Sequence, residues 1–175
     1  MKLLKLKLRN FKGVKEFEMD VDGKSISVFG ANATGKTTLA DALSWLLFSK
    51  DSQFNSQFEI KTLDAQGQQL HNLEHEVFGS FEANGKTIEL RKIYSEKWTR
   101  KRRSAAPEMT GHETACYVDG VPVKLSEYKA RVAEIADEET FKLLTSPYYF
   151  AGKLHWQDRR KILLAVCGDV SDEQV

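Results

Sequence analysis

Hydrophobic and polar residues alternate at the start of the chain in a way that predicts β-strands. Residues 2–9 alternate leucine with lysine or arginine, and residues 14–21 form a second alternating stretch. A period of two places successive side chains on opposite faces, as in a half-buried strand. After a turn signal at Asp22-Gly23, residues 25–29 predict a short strand that leads into a glycine-bounded loop.

A helical period follows that loop. From Lys36 onward the apolar residues fall on one face of a helix, namely Leu39, Ala42, Leu43, Leu46 and Leu47. Residues 58–94 then predict a meander of strands with a turn at residues 65–67. Asn84-Gly85 is typical of a tight hairpin between alternating runs.

The rest of the chain predicts an excursion, a hairpin and three helices. Residues 97–113 are polar, basic and contain proline, which indicates a mobile excursion. A hairpin is expected around Asp119-Gly120. We expect helices over residues 125–135, 138–144 and 157–166, with N-caps at Ser126 and Asp137 and a stop at Gly168.

Composition is that of a folded, soluble protein. The 175 residues are 41% hydrophobic and 29% charged, and no apolar run approaches the ~20 residues that a membrane span requires. The chain suits a single domain, and the two distant cysteines favour reduced thiols in a cytoplasm. The net charge of +1 gives no general reason to expect nucleic acid, so such binding must depend on local patches.

One loop carries specific chemistry. Its residues Gly30, Ala31, Asn32, Ala33, Thr34, Gly35, Lys36 and Thr37 match the Walker A pattern G-x-x-x-x-G-K-[ST] at every fixed position. Glycines let backbone N–H groups turn toward phosphate oxygens, and the following helix adds the positive end of its dipole. Lys36 can reach the β- and γ-phosphates of ATP, Thr37 can ligate Mg²⁺, and Thr38 can bond the α-phosphate. The predicted strand before the loop and the predicted helix after it are the context that the pattern requires.

Around this loop the sequence resembles a known family. A basic strand leads into Arg9-Asn10-Phe11-Lys12-Gly13, the Walker A loop follows about twenty residues later, and residues 158–168 form a charged helix with an Ile-Leu-Leu run. Together they resemble the N-terminal ATP-binding lobe of SbcC-type and SMC-like ATPases of the ABC class, including phage-encoded relatives.

The resemblance implies an α/β P-loop lobe in which a mixed sheet carries the Walker loop and an antiparallel meander and helices flank it. It implies that Asn10, Phe11 and Lys12 lie near the base and phosphates. Residues 153–175 would lead from this single lobe, residues 1–175, into a coiled coil. The implied partners are a C-terminal ATPase lobe, a second copy in a dimer around ATP, DNA and a nuclease, in a cytoplasmic or nucleoid-associated setting without a membrane.

Two parts of the family pattern do not occur in this sequence. We find no Walker B strand that ends in an acidic pair and no Leu-Ser-Gly-Gly signature, both of which belong to the family's C-terminal lobe. The Q-loop glutamine is expected near residues 144–148, where the sequence reads Leu-Thr-Ser-Pro-Tyr. Since phosphoryl transfer depends on positioning and charge, we expect this chain to bind ATP and, alone, to hydrolyse little of it.

Two other clusters admit chemical interpretations. His71, Glu74 and His75 match the H-x-x-E-H zinc pattern, but alternation around His75 favours a strand over the helix that this pattern needs. A basic segment with Trp98 contains five cations that either contact DNA or form a solvated loop: Lys97, Arg100, Lys101, Arg102 and Arg103.

Two other functions remain as alternatives. A small P-loop kinase would transfer phosphate to a metabolite, although a strand meander after Ser52 is unlike the parallel strand–helix unit of such kinases. A non-catalytic interaction module would use the nucleotide only to stabilise its fold.

Overall fold

The computed structural model describes residues 1–32, 34–64, 66–100, 107–146 and 148–167. The strands are β1 (Lys2–Phe11), β2 (Val14–Asp20), β3 (His75–Ala83), β4 (Lys86–Thr99), β5 (Glu108–Val118) and β6 (Val121–Val123). The helices are α1 (Lys36–Phe48), α2 (Leu125–Ile135), α3 (Glu138–Thr145) and α4 (Trp156–Cys167), with a π-helical turn at Tyr149–Lys153. The chain divides into two compact units, Met1–Ala136 and Asp137–Val175. The single lobe expected over residues 1–175 stays a prediction.

The first unit is a six-stranded sheet in the order β2-β1-β3-β4-β5-β6, covered on one face by α1 and α2. Alternation buries one face of the strands, where Leu8, Val77 and Leu90 are at most 2% exposed. Helix α1 lies close to β3, since a Cβ at Gly79 would come within 2.7 Å of Leu46 Cδ2. This close packing fixes α1, which begins at the phosphate loop.

Short-range patterns predicted most of this unit. Strands β1, β2 and helix α1 are confirmed, as is the hairpin at Asn84-Gly85, whose φ values of 51° and 73° suit a tight two-residue turn. The hairpin at Asp119-Gly120 is also confirmed. The α/β class is confirmed, and every strand pairing in the described residues is antiparallel.

The strand expected at residues 25–29 is wrong. The structure assigns no strand to these residues, all of which it describes, and the side chain of Phe29 is 89% exposed. Ile26 and Val28 are about half exposed. The sequence has a strand's alternation here, but a strand also needs a hydrogen-bonding neighbour, and the described sheet ends at β2 and β6.

The excursion expected over residues 97–113 is wrong at both of its ends. Strand β4 continues to Thr99 and β5 begins at Glu108, because Trp98 and Met109 still face each other across the ladder. Residues 101–106 and Gly168 lie outside the described residues. None of the described helices is long and apolar enough to span a membrane.

Of the two predicted helix N-caps, one is confirmed and the other is wrong. Asp137 caps α3, since its side chain accepts a hydrogen bond from the Thr140 N–H. The N-cap predicted at Ser126 is wrong, because α2 begins one residue earlier with Lys124 as its N-cap.

Candidate nucleotide-binding site

Helix α1 has an open N-terminus at the predicted phosphate loop. Gly35 precedes the helix with a φ of 90°, a left-handed conformation that glycine adopts without a steric penalty. Lacking a side chain, Gly35 cannot accept a hydrogen bond from the first N–H groups of the helix. The first turn, which the structure describes in full, contains no acidic residue to offset the positive end of the dipole. This end of α1 is therefore suited to an anion.

The loop before α1 is closed by its own side chains. Lys36 Nζ donates to the carbonyl oxygens of Gly30 and Ala31, both at 2.6 Å, and Thr34 Oγ1 donates to the Ala31 carbonyl at 2.8 Å. A Cβ at Gly30 would lie 2.7 Å from Thr34 Oγ1, so a side chain there would displace the Thr34 hydroxyl from its present position. Asn32 is exposed. The predicted ligand Ala33 lies outside the described residues.

An open cavity of about 380 Å³ lies at this end of α1. Its lining includes four predicted ligands of the loop and helix: Thr34, Gly35, Thr37 and Thr38. The turn between β1 and β2 and the first residue of β2 supply the rest: Lys12, Gly13 and Val14. The fold thus brings together two segments that the sequence separates by about twenty residues.

Lys12 is fixed by an acid on α1. Its Nζ forms an ion pair with Asp41 and lies 5.5 Å from the centre of the Phe58 ring. Asp41 is buried and also accepts hydrogen bonds from Ser52 N and Oγ, at 2.9 and 2.5 Å. Burial alone would raise the pKa of Asp41, but the hydrogen bonds from Lys12 and Ser52 hold this pKa below its usual range. The pair joins the β1–β2 turn to α1.

Asn10 and Phe11, the other predicted neighbours of the nucleotide, occupy different places. Phe11 is completely buried, with its ring centroid 5.5 Å from that of Trp45. The Asn10 carbonyl accepts hydrogen bonds from Thr62 Oγ1 at 3.1 Å and, through Nδ1, from His75 at 2.5 Å. Neither residue lines the cavity, and both brace the turn that does.

The donor set fits Mg²⁺ in one limited way. Magnesium prefers oxygen ligands and is often held by few protein groups together with substrate phosphates. The Thr37 hydroxyl is an oxygen donor that lines the cavity. The described residues contain no cluster of three His, Cys, Asp or Glu side chains that could hold a metal ion. Any Mg²⁺ here would depend on Thr37 and on the phosphates.

The two other candidate clusters lie elsewhere in the first unit. His75 begins strand β3 and is buried, while His71 is exposed and contacts Glu96, in agreement with the strand interpretation of the H-x-x-E-H match. In the basic segment, Lys97 lies near the C-terminal end of β4, and Arg100 directly follows this strand. Lys101, Arg102 and Arg103 lie outside the described residues.

Sequence reasoning missed Gly13, Val14 and Asp41. Asp41 lies on the opposite face of α1 from the predicted apolar stripe, where a carboxylate suggests solvent rather than a buried ion pair. Its partner Lys12 is 29 residues away, and only the folded sheet brings the two together. Val14 follows Lys12 and Gly13 directly, so the turn after Arg9-Asn10-Phe11 was the available signal.

Comparisons with known proteins agree with this geometry. Residues 5–146 match the family described as AAA domain. A solved chain from work on ATP-driven dimerization and DNA-stimulated activation of SMC ATPases is similar over 95% of this chain and 99% of that one, at 15% identity and a TM-score of 0.57. Among curated proteins, none is detectably similar in sequence.

Two larger structures are also similar. The recombination mediator RecF in its ATP form, from the RecFOR pathway, matches 94% of this chain at 15% identity and a TM-score of 0.54. The SMC head domain from Thermotoga maritima matches 75% at 23% identity and a TM-score of 0.46. The chain spans 38% of the RecF chain and 42% of the SMC head. The family match covers most of the chain, and the chain therefore belongs to the AAA domain family, with the fold of an N-terminal lobe of an SMC-like, ABC-type ATPase.

Proposed function

We propose that this chain is the ATP-binding half of a P-loop ATPase that acts on DNA. The observation that carries the proposal is the open cavity at the uncapped N-terminus of α1, which Thr34, Thr37 and Thr38 line. Bound phosphates would accept hydrogen bonds from the free N–H groups of the helix. Lys36 would exchange its contacts with two loop carbonyls for contacts with the β- and γ-phosphates.

Magnesium would complete the phosphate site. When bound with ATP, Mg²⁺ neutralises charge on the β- and γ-oxygens. The residue that would hold it in this chain is Thr37, through its hydroxyl oxygen. Lys12 and Gly13 would limit the other side of the cavity and restrict the access of water.

A C-terminal ATPase lobe, in the same or a separate chain, would complete the active site. This lobe would supply the Walker B acids and the signature motif, which this sequence does not contain. The exposed apolar side chains of Ile26, Val28 and Phe29 support such a partner, since Ile26 and Val28 alternate with serines like a strand and Phe29 directly precedes the phosphate loop. A neighbouring strand from that lobe would bury these side chains and form hydrogen bonds with their backbone.

Dimerisation around ATP and a coiled coil extend the proposal. Helix α4 supports a coiled coil because Trp156, Leu163 and Val166 are exposed; the first two are seven residues apart and Val166 follows three residues later, as positions a and d of a heptad do. Residues 153–175 would lead into it. A nuclease subunit and a cytoplasmic or nucleoid-associated location follow from the same resemblance.

DNA contact would involve the basic segment of residues 97–103. Cations there would release counterions from phosphates, and the exposed Trp98 could stack on a base. Replacing Arg100, Lys101, Arg102 and Arg103 by glutamine should weaken DNA binding and flatten its dependence on salt. Unchanged binding would remove this segment from the interface.

Calorimetry tests the central proposal. The wild-type chain should bind ATP with Mg²⁺, and Lys36→Ala should bind about 10- to 100-fold more weakly, because a charge-assisted contact to phosphate is lost. Wild-type binding that survives Lys36→Ala unchanged would contradict the proposal. A Lys24→Ala variant, in which an exposed lysine outside the cavity is removed, is the matched control.

Turnover separates the proposal from its rivals. The chain alone should hydrolyse little ATP, and addition of the C-terminal lobe should raise the rate. Transfer of phosphate to a metabolite would support the small kinase instead, although the strands after α1 pair antiparallel in the described residues. ATP binding without hydrolysis, even with the second lobe, would favour the non-catalytic module.

A further inference from the structure

A three-residue segment, residues 60–62, contacts the turn that borders the nucleotide cavity; we call it the strap. The Ile60 carbonyl accepts a hydrogen bond from Lys12 N at 2.9 Å. Two residues later, Thr62 Oγ1 donates to the Asn10 carbonyl at 3.1 Å. The strap therefore holds both sides of Phe11, directly next to the cavity wall formed by Lys12 and Gly13.

The turn needs such support because its backbone is strained. Asn10 and Lys12 have φ values of 53° and 47°, in the left-handed region that non-glycine residues adopt at a cost. Such conformations persist only where the surroundings hold them. The contacts of the strap are part of that support.

The middle residue of the strap points to a second, buried partner. Lys61 Nζ lies 2.6 Å from Glu96 Oε1, and the two side chains are 3% and 2% exposed. Glu96 also accepts hydrogen bonds from Asn72 N at 3.1 Å and Trp98 Nε1 at 3.0 Å, and His71 Nδ1 lies 2.7 Å from it. Four groups thus converge on one carboxylate of strand β4.

This carboxylate stays ionised. Burial would raise the pKa of Glu96, but the hydrogen bonds from Lys61, Asn72 and His71 lower it to about 2. A buried ion pair is weak evidence for stability, because desolvation offsets most of the attraction, and its best-attested use is to fix position. A charge pair that fixes the strap against β4 also fixes the strap's contacts to the turn.

We propose that Glu96 is a positioning residue for the nucleotide, acting through Lys61 and the strap on the β1–β2 turn that borders the cavity. The inference rests on the proposed ATP-binding function of that cavity. Without the charge of Glu96, Lys61 loses its ionised partner, the strap loosens, and Lys12 and Gly13 no longer keep one position against the phosphates.

The primary test compares ATP–Mg²⁺ affinities by calorimetry. Glu96→Gln should bind ATP about 3- to 30-fold more weakly than wild type, the usual range for a residue that acts on a site through others. Glu113→Gln is the matched control, since it removes an exposed carboxylate from the adjacent strand β5, and it should bind as wild type. Affinity of Glu96→Gln within twofold of wild type would overturn the inference.

A second variant removes a contact between the strap and the turn. Thr62→Val keeps the shape of the side chain and removes only its hydrogen bond to Asn10, so it should also weaken ATP binding several-fold. It decides the question if Glu96→Gln does not fold, and wild-type affinity of Thr62→Val would then overturn the inference. In the double variant, the fold-losses of ATP affinity should not multiply, because both substitutions act through the strap. Full multiplication would contradict the proposal that Glu96 acts through the strap.

Two further measurements separate positioning from stability and from the proposed function. Tyr128→Phe removes a buried hydrogen bond to the Leu46 carbonyl, at the opposite end of α1 from the cavity, so it should lower Tm and leave ATP affinity unchanged. Glu96→Gln should instead change affinity and the amide resonances of Lys12 and Gly13. If wild type binds and Lys36→Ala does not, normal affinity of the strap variants overturns this inference alone. If wild type does not bind ATP, the proposed function fails and the inference fails with it.

Discussion

The two ends of helix α1 differ in their contacts: side chains bond the C-terminal end, and the N-terminal end is uncapped. At the C-terminal end, the Trp45 carbonyl accepts hydrogen bonds from Lys92 Nζ at 2.8 Å and Ser49 N at 2.9 Å. The next carbonyl, of Leu46, accepts one from the Tyr128 hydroxyl at 2.9 Å. At the N-terminal end, the helix follows a glycine and opens into the cavity.

This difference separates the residues that hold the fold from those that bind. Every helix leaves N–H groups unpaired at one end and carbonyls unpaired at the other. Here the carbonyls of Trp45 and Leu46 accept hydrogen bonds from buried side chains of β4 and α2, and these contacts hold that end of the helix in the lobe. The N–H groups remain for a ligand. Substitutions at the two ends should therefore affect different measurements.

The largest expected effect is at the closed end. Tyr128 is completely buried, and Tyr128→Ala should lower the free energy of unfolding by about 4 kcal/mol, since it leaves a cavity between α1 and α2. Urea unfolding followed by circular dichroism measures this loss. A loss below about 1 kcal/mol would mean that the closed end is not what anchors α1.

The open end should act through its ligand. At a free ATP concentration of 100 times Kd, the wild type should gain about 2.7 kcal/mol of unfolding free energy by linkage. Lys36→Ala at the same concentration should gain much less, while its stability without ATP stays within about 0.5 kcal/mol of wild type. Thermal unfolding with and without ATP–Mg²⁺ gives both values. Equal gains for the two proteins would place the ligand elsewhere.

The smallest expected effect is a dependence on pH at the closed end. Burial lowers the pKa of Lys92 from 10.5 to about 7, so the unfolded chain binds a proton that the folded chain has released. The contribution of Lys92 to the free energy of unfolding is therefore fully present above pH 10.5 and is lost as the pH falls through 7. Between pH 7 and 8 the gain should be roughly 1 kcal/mol. Lys92→Met should flatten this part of the curve, measured by urea unfolding at each pH; a slope equal to wild type would contradict the assignment.

Local patterns account for what the sequence could predict. Alternation and the Asn84-Gly85 dipeptide predicted β1, β2 and the β3–β4 hairpin correctly, and the fixed spacing of the Walker loop predicts a phosphate site at the start of α1. Residues 25–29 have the same alternation, but no period reports whether a neighbouring strand is present. Whether residues 25–29 have a strand beside them depends on the tertiary structure, which the local sequence pattern does not report.

The cavity wall opposite the loop was harder to predict for a similar reason. The Lys12–Asp41 pair joins residues 29 positions apart, and the Lys61–Glu96 pair joins residues 35 apart. Each charge, read alone, is typical of a solvated surface. The partners meet only when α1 and residues 60–62 pack against the sheet, which buries Asp41, Lys61 and Glu96 and leaves the Lys12 side chain 29% exposed.

We predict that the open N-terminus of α1 holds the triphosphate. Amide NMR spectra recorded during titration with ATP and Mg²⁺ test this prediction, because each end of the helix gives its own resonances. We predict saturable shifts concentrated at Gly35, Lys36, Thr37 and Thr38, with Ser49 at the closed end nearly unchanged. Saturable binding with its largest shifts outside the loop and the first turn of α1 would contradict the claim.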